Sequence, residues 1–103
     1  MKQLRSEKTT WIVSRHPGAI EYLARQGFRG KQQGHLDPAL LQAGDRVIGN
    51  LPMSMIARLA PLGVEYWHLC IQATPAERGI ELSADRLHEM GASVRRFLVT
   101  EQP

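Results

Sequence analysis

Two segments of the chain place polar groups between an apolar run and a proline. TTWIVS (9–14) runs into Arg15, His16, Pro17 and Gly18, and RVIG (46–49) runs into Asn50, Leu51 and Pro52. Proline suits the first helical position, so each junction reads as a strand end opening a helix. A helix amino terminus offers unpaired N–H groups and partial positive charge, which makes it a ready anion site. In the first junction Arg15 adds a fixed fork of donors suited to phosphate. His16, at or beside the cap, can give or take a proton near neutral pH, although the helix terminus disfavours its charged form. Arg15 and His16 are thus the candidate catalytic residues, with Ser14, Pro17 and Gly18 binding beside them. The same residues would serve equally well as a polar loop with a capping role. In the second junction Gly49 would let the backbone approach a ligand closely, and Asn50 offers an amide for directed hydrogen bonds, flanked by Leu51 and Pro52. A tight turn that uses Asn for its backbone tolerance looks the same.

Further candidates are scattered. His35 and Asp37 lie two apart, as on one face of a strand end, and suit an oriented imidazole–carboxylate pair. Nothing supplies a third metal ligand at recognisable spacing, and His68 within a strand reads as a hydrogen-bonded core residue, so no metal and no cofactor are expected. Arg78 and Glu81 stand in a loop that could close over a site or simply lead into a capped helix. The chain has no Walker loop, dinucleotide glycine fingerprint, nucleophile elbow or HExxH, which argues against nucleoside triphosphate, nicotinamide, serine hydrolase and zincin chemistry.

The elements that must position these groups follow from periodicity. Residues 1–8 are polar and read as a flexible extension, with a single domain over 9–103. TTWIVS is the first and central strand, covered on both faces. A helix over about 17–26 has Ile20, Leu23 and Ala24 on one face and Gly27 past its end. Residues 28–36 allow a short edge strand. The nine residues 37–45 are too few for a parallel crossover and read as one helical turn and a loop. RVIG is a second buried strand, MSMIARLAPLG a helical stretch, VEYWHLCI the longest apolar strand, 83–90 a helix capped by Ser83, and 92–100 a last strand. Alternating strands and helices imply an α/β layer with a mostly parallel sheet and flanking helices, whose ligands bind beyond the strands' carboxyl ends.

Composition sets outer bounds. The chain has 103 residues, 13 Lys and Arg against 10 Asp and Glu, a formal charge of +3, and 43% hydrophobic residues. That excess falls short of a duplex-binding stripe but tolerates a small phosphorylated ligand, so no duplex nucleic acid is expected as partner. The lone Cys70 excludes an internal disulfide and points to a reducing compartment. No apolar run reaches a membrane span and MKQLRSEK lacks a signal peptide's apolar stretch, so the expectation is a cytoplasmic protein with no membrane partner.

RHPGAIEYLARQG, HLDP, GDRVIGNLP, YWHLCI and RGIELSADRLHEMGA, in this order from Trp11 to about Val99, resemble the small CRISPR-associated Csx-sixteen family. The resemblance implies a setting in type III CRISPR defence and a role similar to ring nucleases, which degrade cyclic tetra-adenylate and switch the response off. It also implies a compact Rossmann-like fold related to the cyclic-oligoadenylate sensor (CARF) domains, and a homodimer matching the ligand's symmetry. Chemistry adds the route: a ribose 2′-OH attacks the neighbouring phosphorus in line, without metal, leaving linear adenylates with a 2′,3′-cyclic phosphate. The alternative is a sensor or sponge that binds the messenger without cutting it.

Overall fold

The computed structural model describes residues 7–77 and 79–103. Its strands are β1 (Thr10–Val13), β2 (Lys31–Gln33), β3 (Arg46–Gly49), β4 (Glu65–Cys70) and β5 (Ser93–Arg96), and they form one sheet in the order β2-β1-β3-β4-β5. β2, β1, β3 and β4 run parallel, and β5 returns antiparallel to β4. The helices are α1 (Pro17–Arg25), α2 (Met53–Ile56) and α3 (Ala84–Glu89), with single 3-10 turns at Pro38–Leu40, Ala60–Leu62 and Pro75–Glu77. None is long and apolar enough to cross a membrane.

The continuous apolar runs of β1 and β3 follow from burial on both sides of the sheet. Trp11, Val13, Val47 and Tyr66 pack on one face with Ile56 and Leu59. Ile12, Ile48 and Leu69 pack on the other with Tyr22 and Leu23 of α1 and Leu87 of α3. Alternation of period two therefore holds even where the sequence shows no alternation. The strand, turn and helix order matches the expectation, with differences that have physical reasons: β3 rather than β1 is the central strand, because two strands, β4 and β5, are added on its far side. The buried face of α1 is Ala19, Tyr22 and Leu23. Tyr22 turns inward because its hydroxyl finds a part-buried acceptor, donating to the Ala92 carbonyl at 2.7 Å. The crossover from β2 to β3 spans residues 34–45 and passes β1 to reach its other side, using the three residues before Asp37 that the nine-residue count left out. α2 ends after one turn, and β5 stops at Arg96 rather than at Thr100. Of the amino-terminal segment 1–8, residues 1–6 lie outside the described residues, and Glu7 and Lys8 are exposed.

One buried carboxylate ties the sheet together. Asp45 is fully buried and accepts from the Thr9 N–H at 2.9 Å, the Trp11 indole N–H at 3.1 Å and the Gln42 N–H at 3.1 Å. Its own main-chain carbonyl accepts from Glu65 N at 2.9 Å, and Arg46 N donates to Thr9 O at 2.9 Å. The start of β1, the end of the crossover and the start of β4 thus meet on one residue. Asp45→Asn sets an amide N–H₂ against one of these donors, and a buried donor left unpaired costs about 1–3 kcal/mol. The expected outcome is a lower urea midpoint with an unchanged slope; an unaltered midpoint removes Asp45 as the tie.

Candidate functional site

In a parallel sheet, chains leaving two adjacent strands in opposite directions open a crevice beyond their carboxyl ends. Here β1 feeds α1 toward one face and β3 feeds α2 toward the other, and a cleft of about 470 Å³ opens where they part. Its lining includes Ser14, Arg15 and His16 after β1, Gly34 and His35 after β2, and Asn50, Leu51 and Pro52 after β3. Six of the sequence candidates, Ser14, Arg15, His16, Asn50, Leu51 and Pro52, come together here from the two junctions, joined by His35. The lining contains no Asp or Glu.

Each group is held differently. Ser14 Oγ accepts the His16 N–H at 3.1 Å, which bends the chain into α1. His16 is the cap residue of α1 but makes no side-chain cap bond, so the helix amino end is left for solvent or a ligand. Instead its Nδ1 lies 3.0 Å from Glu81 Oε1 and 3.1 Å from Oε2, a contact between exposed side chains 65 residues apart. With Nδ1 so engaged, Nε2 is the atom left to exchange a proton. The Arg15 stem runs over Gly34, where a Cβ would come within 3.3 Å of its Cγ. Among the described residues no carboxylate pairs with its guanidinium.

Several candidates serve structure. Gly49 faces the Val13 carbonyl, which a Cβ would approach to 2.7 Å; the close approach it permits is that of β1 to β3. Gly18 is more constrained, since a Cβ there would sit 1.9 Å from the Leu82 carbonyl oxygen. It lets α1 lie directly on the segment leading to α3 and does not line the cleft. Pro17 opens α1 as expected, whereas Pro52 is the cap residue of α2 rather than its first helical residue. Asp37 does not pair with His35: it accepts the Ala39 N–H at 3.0 Å and caps its own 3-10 turn, a local bond that a three-residue element needs. Glu81 acts through His16 from outside the cleft. Arg78 lies outside the described residues. None of the groups of His, Cys, Asp and Glu among the described residues is placed to hold a metal ion.

Sequence reasoning missed a network beneath the cleft wall. Asn50 Nδ2 donates to the Leu69 carbonyl at 2.7 Å and lies 3.4 Å from His68 Nε2. His68 Nδ1 is 2.6 Å from Tyr66 Oη, which in turn contacts Gly49 O and Leu51 N, each at 3.1 Å. One proton assignment satisfies every group: Asn50 donates to Nε2, Nδ1–H donates to the phenol oxygen, the phenol donates to Gly49 O, and Leu51 N–H fills the remaining lone pair. The strand alternation that puts Tyr66 and His68 on one face was the available signal. Burial pushes the Tyr66 hydroxyl up to about 12 and lowers the His68 imidazole, so both stay neutral.

The fold and site define a class: a small α/β protein with a carboxylate-free, arginine-bearing cleft at the carboxyl end of a mostly parallel sheet. The chain belongs to a CRISPR-associated family, described as "Putative CRISPR-associated protein (Cas_VVA1548)", whose model matches residues 11–100. No curated protein and no solved structure matches it.

His68 makes the wall pH-sensitive with a defined sign. Its folded value lies below the ordinary 6.5, so the unfolded chain takes the proton first as pH falls. The stability it contributes is complete above that ordinary value and is lost as pH drops through the folded one. Urea midpoints at about pH 7.5 and about pH 5.5 should therefore converge in His68→Gln relative to the native chain; an identical pH dependence in both proteins would exclude His68 as the source.

Proposed function

We propose that the protein opens cyclic oligoadenylate, with cyclic tetra-adenylate as its substrate, and so lowers the level of a CRISPR signalling messenger. The observation that carries this reading is the cleft itself, in which two imidazoles and a guanidinium with no carboxylate partner among the described residues converge on a lining without Asp or Glu. Such a lining suits a phosphodiester, whose non-bridging oxygens gain charge as the bond breaks. Membership of a CRISPR-associated family supplies the setting. A Rossmann-like relation to cyclic-oligoadenylate sensor domains belongs to the same reading, in keeping with helices on both faces of the sheet and the cleft at the carboxyl ends.

The chemistry needs no outside nucleophile. The ribose 2′-oxygen attacks the adjacent phosphorus as its proton leaves to a base, the bond from phosphorus to the 5′-oxygen breaks, and that oxygen takes up a proton. His16 carries the proton through Nε2, oriented by Glu81 on Nδ1, and His35, which follows the neighbouring strand β2, serves the other oxygen. Arg15 holds the phosphoryl oxygens. Products are linear adenylates with a 2′,3′-cyclic phosphate and a 5′-hydroxyl. One chain offers a cleft at the lower end of the roughly 300–1,000 Å³ that encloses a drug-sized ligand, so two copies about a twofold axis would surround a four-nucleotide ring.

Incubation with cyclic tri-, tetra- and hexa-adenylate in the presence of a chelator, followed by mass identification of products, tests this directly. Tetra-adenylate should be linearised. His16→Ala should keep binding and slow cleavage about a hundredfold or more, the effect of losing a general acid or base. Binding with no linear product under single-turnover conditions would make the protein a sensor or sponge, and an absolute requirement for manganese would overturn the metal-free route.

A further inference from the structure

Behind His16 lies a second pocket that the phosphodiester reading does not use. It measures about 160 Å³ and is lined by His16, Ala19, Ile71, Ile80, Leu82 and Leu87. Among the described residues, every lining side chain apart from the imidazole is aliphatic. His16 is shared with the cleft, so a single side chain separates the two spaces. Two features distinguish this pocket from a packing gap. Its rim exposes apolar surface, Ile80 at 59% and Ile71 at 36%, although both residues sit in a loop free to be polar. Its walls are also fixed before any ligand arrives. Gly18 brings α1 against the Leu82 backbone, Glu81 holds His16, and Arg86 Nε reaches Glu77 Oε2 at 2.6 Å to anchor the loop's start to α3.

We infer that this pocket receives the nucleobase attached to the ribose phosphate in the cleft. The inference rests on the phosphate reading of that cleft and adds to it the part of the ligand that is flat, uncharged and aromatic. At the share of about 30 Å³ that a water takes in liquid, the pocket displaces some five waters, a size that suits one heterocycle. The continuity through His16 matches a nucleotide's own connectivity, in which base and phosphate diverge from one ribose. Burying a base against Ile80, Leu82 and Leu87 gains affinity from apolar area, and the imidazole edge offers a face for stacking. Among the described residues His16 is the one hydrogen-bonding side chain of the lining, so these walls hold the base by contact area.

Titration with adenosine 5′-monophosphate and with ribose 5-phosphate separates base from phosphate. The native chain should bind the nucleotide at least tenfold more tightly than the sugar phosphate. Ile80→Ser, at an exposed position that the core does not need, should erase most of that difference while leaving ribose 5-phosphate affinity and the urea midpoint unchanged. Equal affinity for the two ligands in the native chain overturns the base pocket and leaves the phosphate cleft standing. Equal weakening of both ligands by Ile80→Ser, or no change in either, likewise overturns it. Absence of binding by both ligands overturns the cleft reading together with this one.

Discussion

The Asp45 carboxylate is the constraint on which the remaining geometry rests. A four-residue strand has little to fix its register, because a slip of one residue reverses which side chains face which core. In β1 that choice is made by Asp45, which takes the Thr9 N–H on one oxygen and the Trp11 indole and Gln42 N–H on the other. Fixing Thr9 and Trp11 sets Val13 opposite Gly49. It thereby sets the height at which Ser14, Arg15 and His16 leave the sheet. The tie sits at the amino end of the strands and the cleft at the carboxyl end, so stability and chemistry are separated by the length of one short strand.

The two faces contribute different things to the site. The face built from Trp11, Val13, Val47 and Tyr66 supports the floor of the cleft and the buried network under Asn50 and Leu51. The face built from Ile12, Tyr22, Leu23 and Leu87 supports α1, α3 and the aliphatic pocket. His16 stands on the boundary, the one residue lining both spaces. The groups assigned to chemistry, Arg15, His16 and His35, are exposed. Polar atoms at the surface need no internal partner, and this leaves them free to be arranged for a ligand.

Much of this was legible from local signals. Proline after an apolar run marked both strand ends, and the cleft formed where those junctions meet. Ser83 caps α3 as its residue type implied, accepting the Arg86 N–H at 3.0 Å. The misses share one cause, which is pairing over long sequence separations. Tyr22 falls off the apolar face read from Ile20, Leu23 and Ala24, because Ala92, whose carbonyl accepts its proton, lies seventy residues away. Asp45 reads as a turn residue because its ligands include an indole far upstream. Glu81 was chosen as a loop residue reaching toward the ligand, but it orients His16. His35 and Asp37 failed as a pair for the opposite reason: the near neighbour Ala39 captured the carboxylate first. Gly18 and Gly49 were read as ligand approaches, and the backbone each admits is the protein's own.

The contact of Gly18 with Leu82 also has a consequence for biosynthesis. Translation delivers the chain from its amino end at about 5–20 residues per second. β1 through β4 and the Asp45 tie are complete once residue 70 has emerged. The carboxylate that orients His16 and the backbone that α1 rests on arrive only with residues 81 and 82. The ribosome therefore releases a sheet before it releases a finished site, and a nascent chain cut short between residues 71 and 80 would hold four of the five strands while lacking the partner of His16.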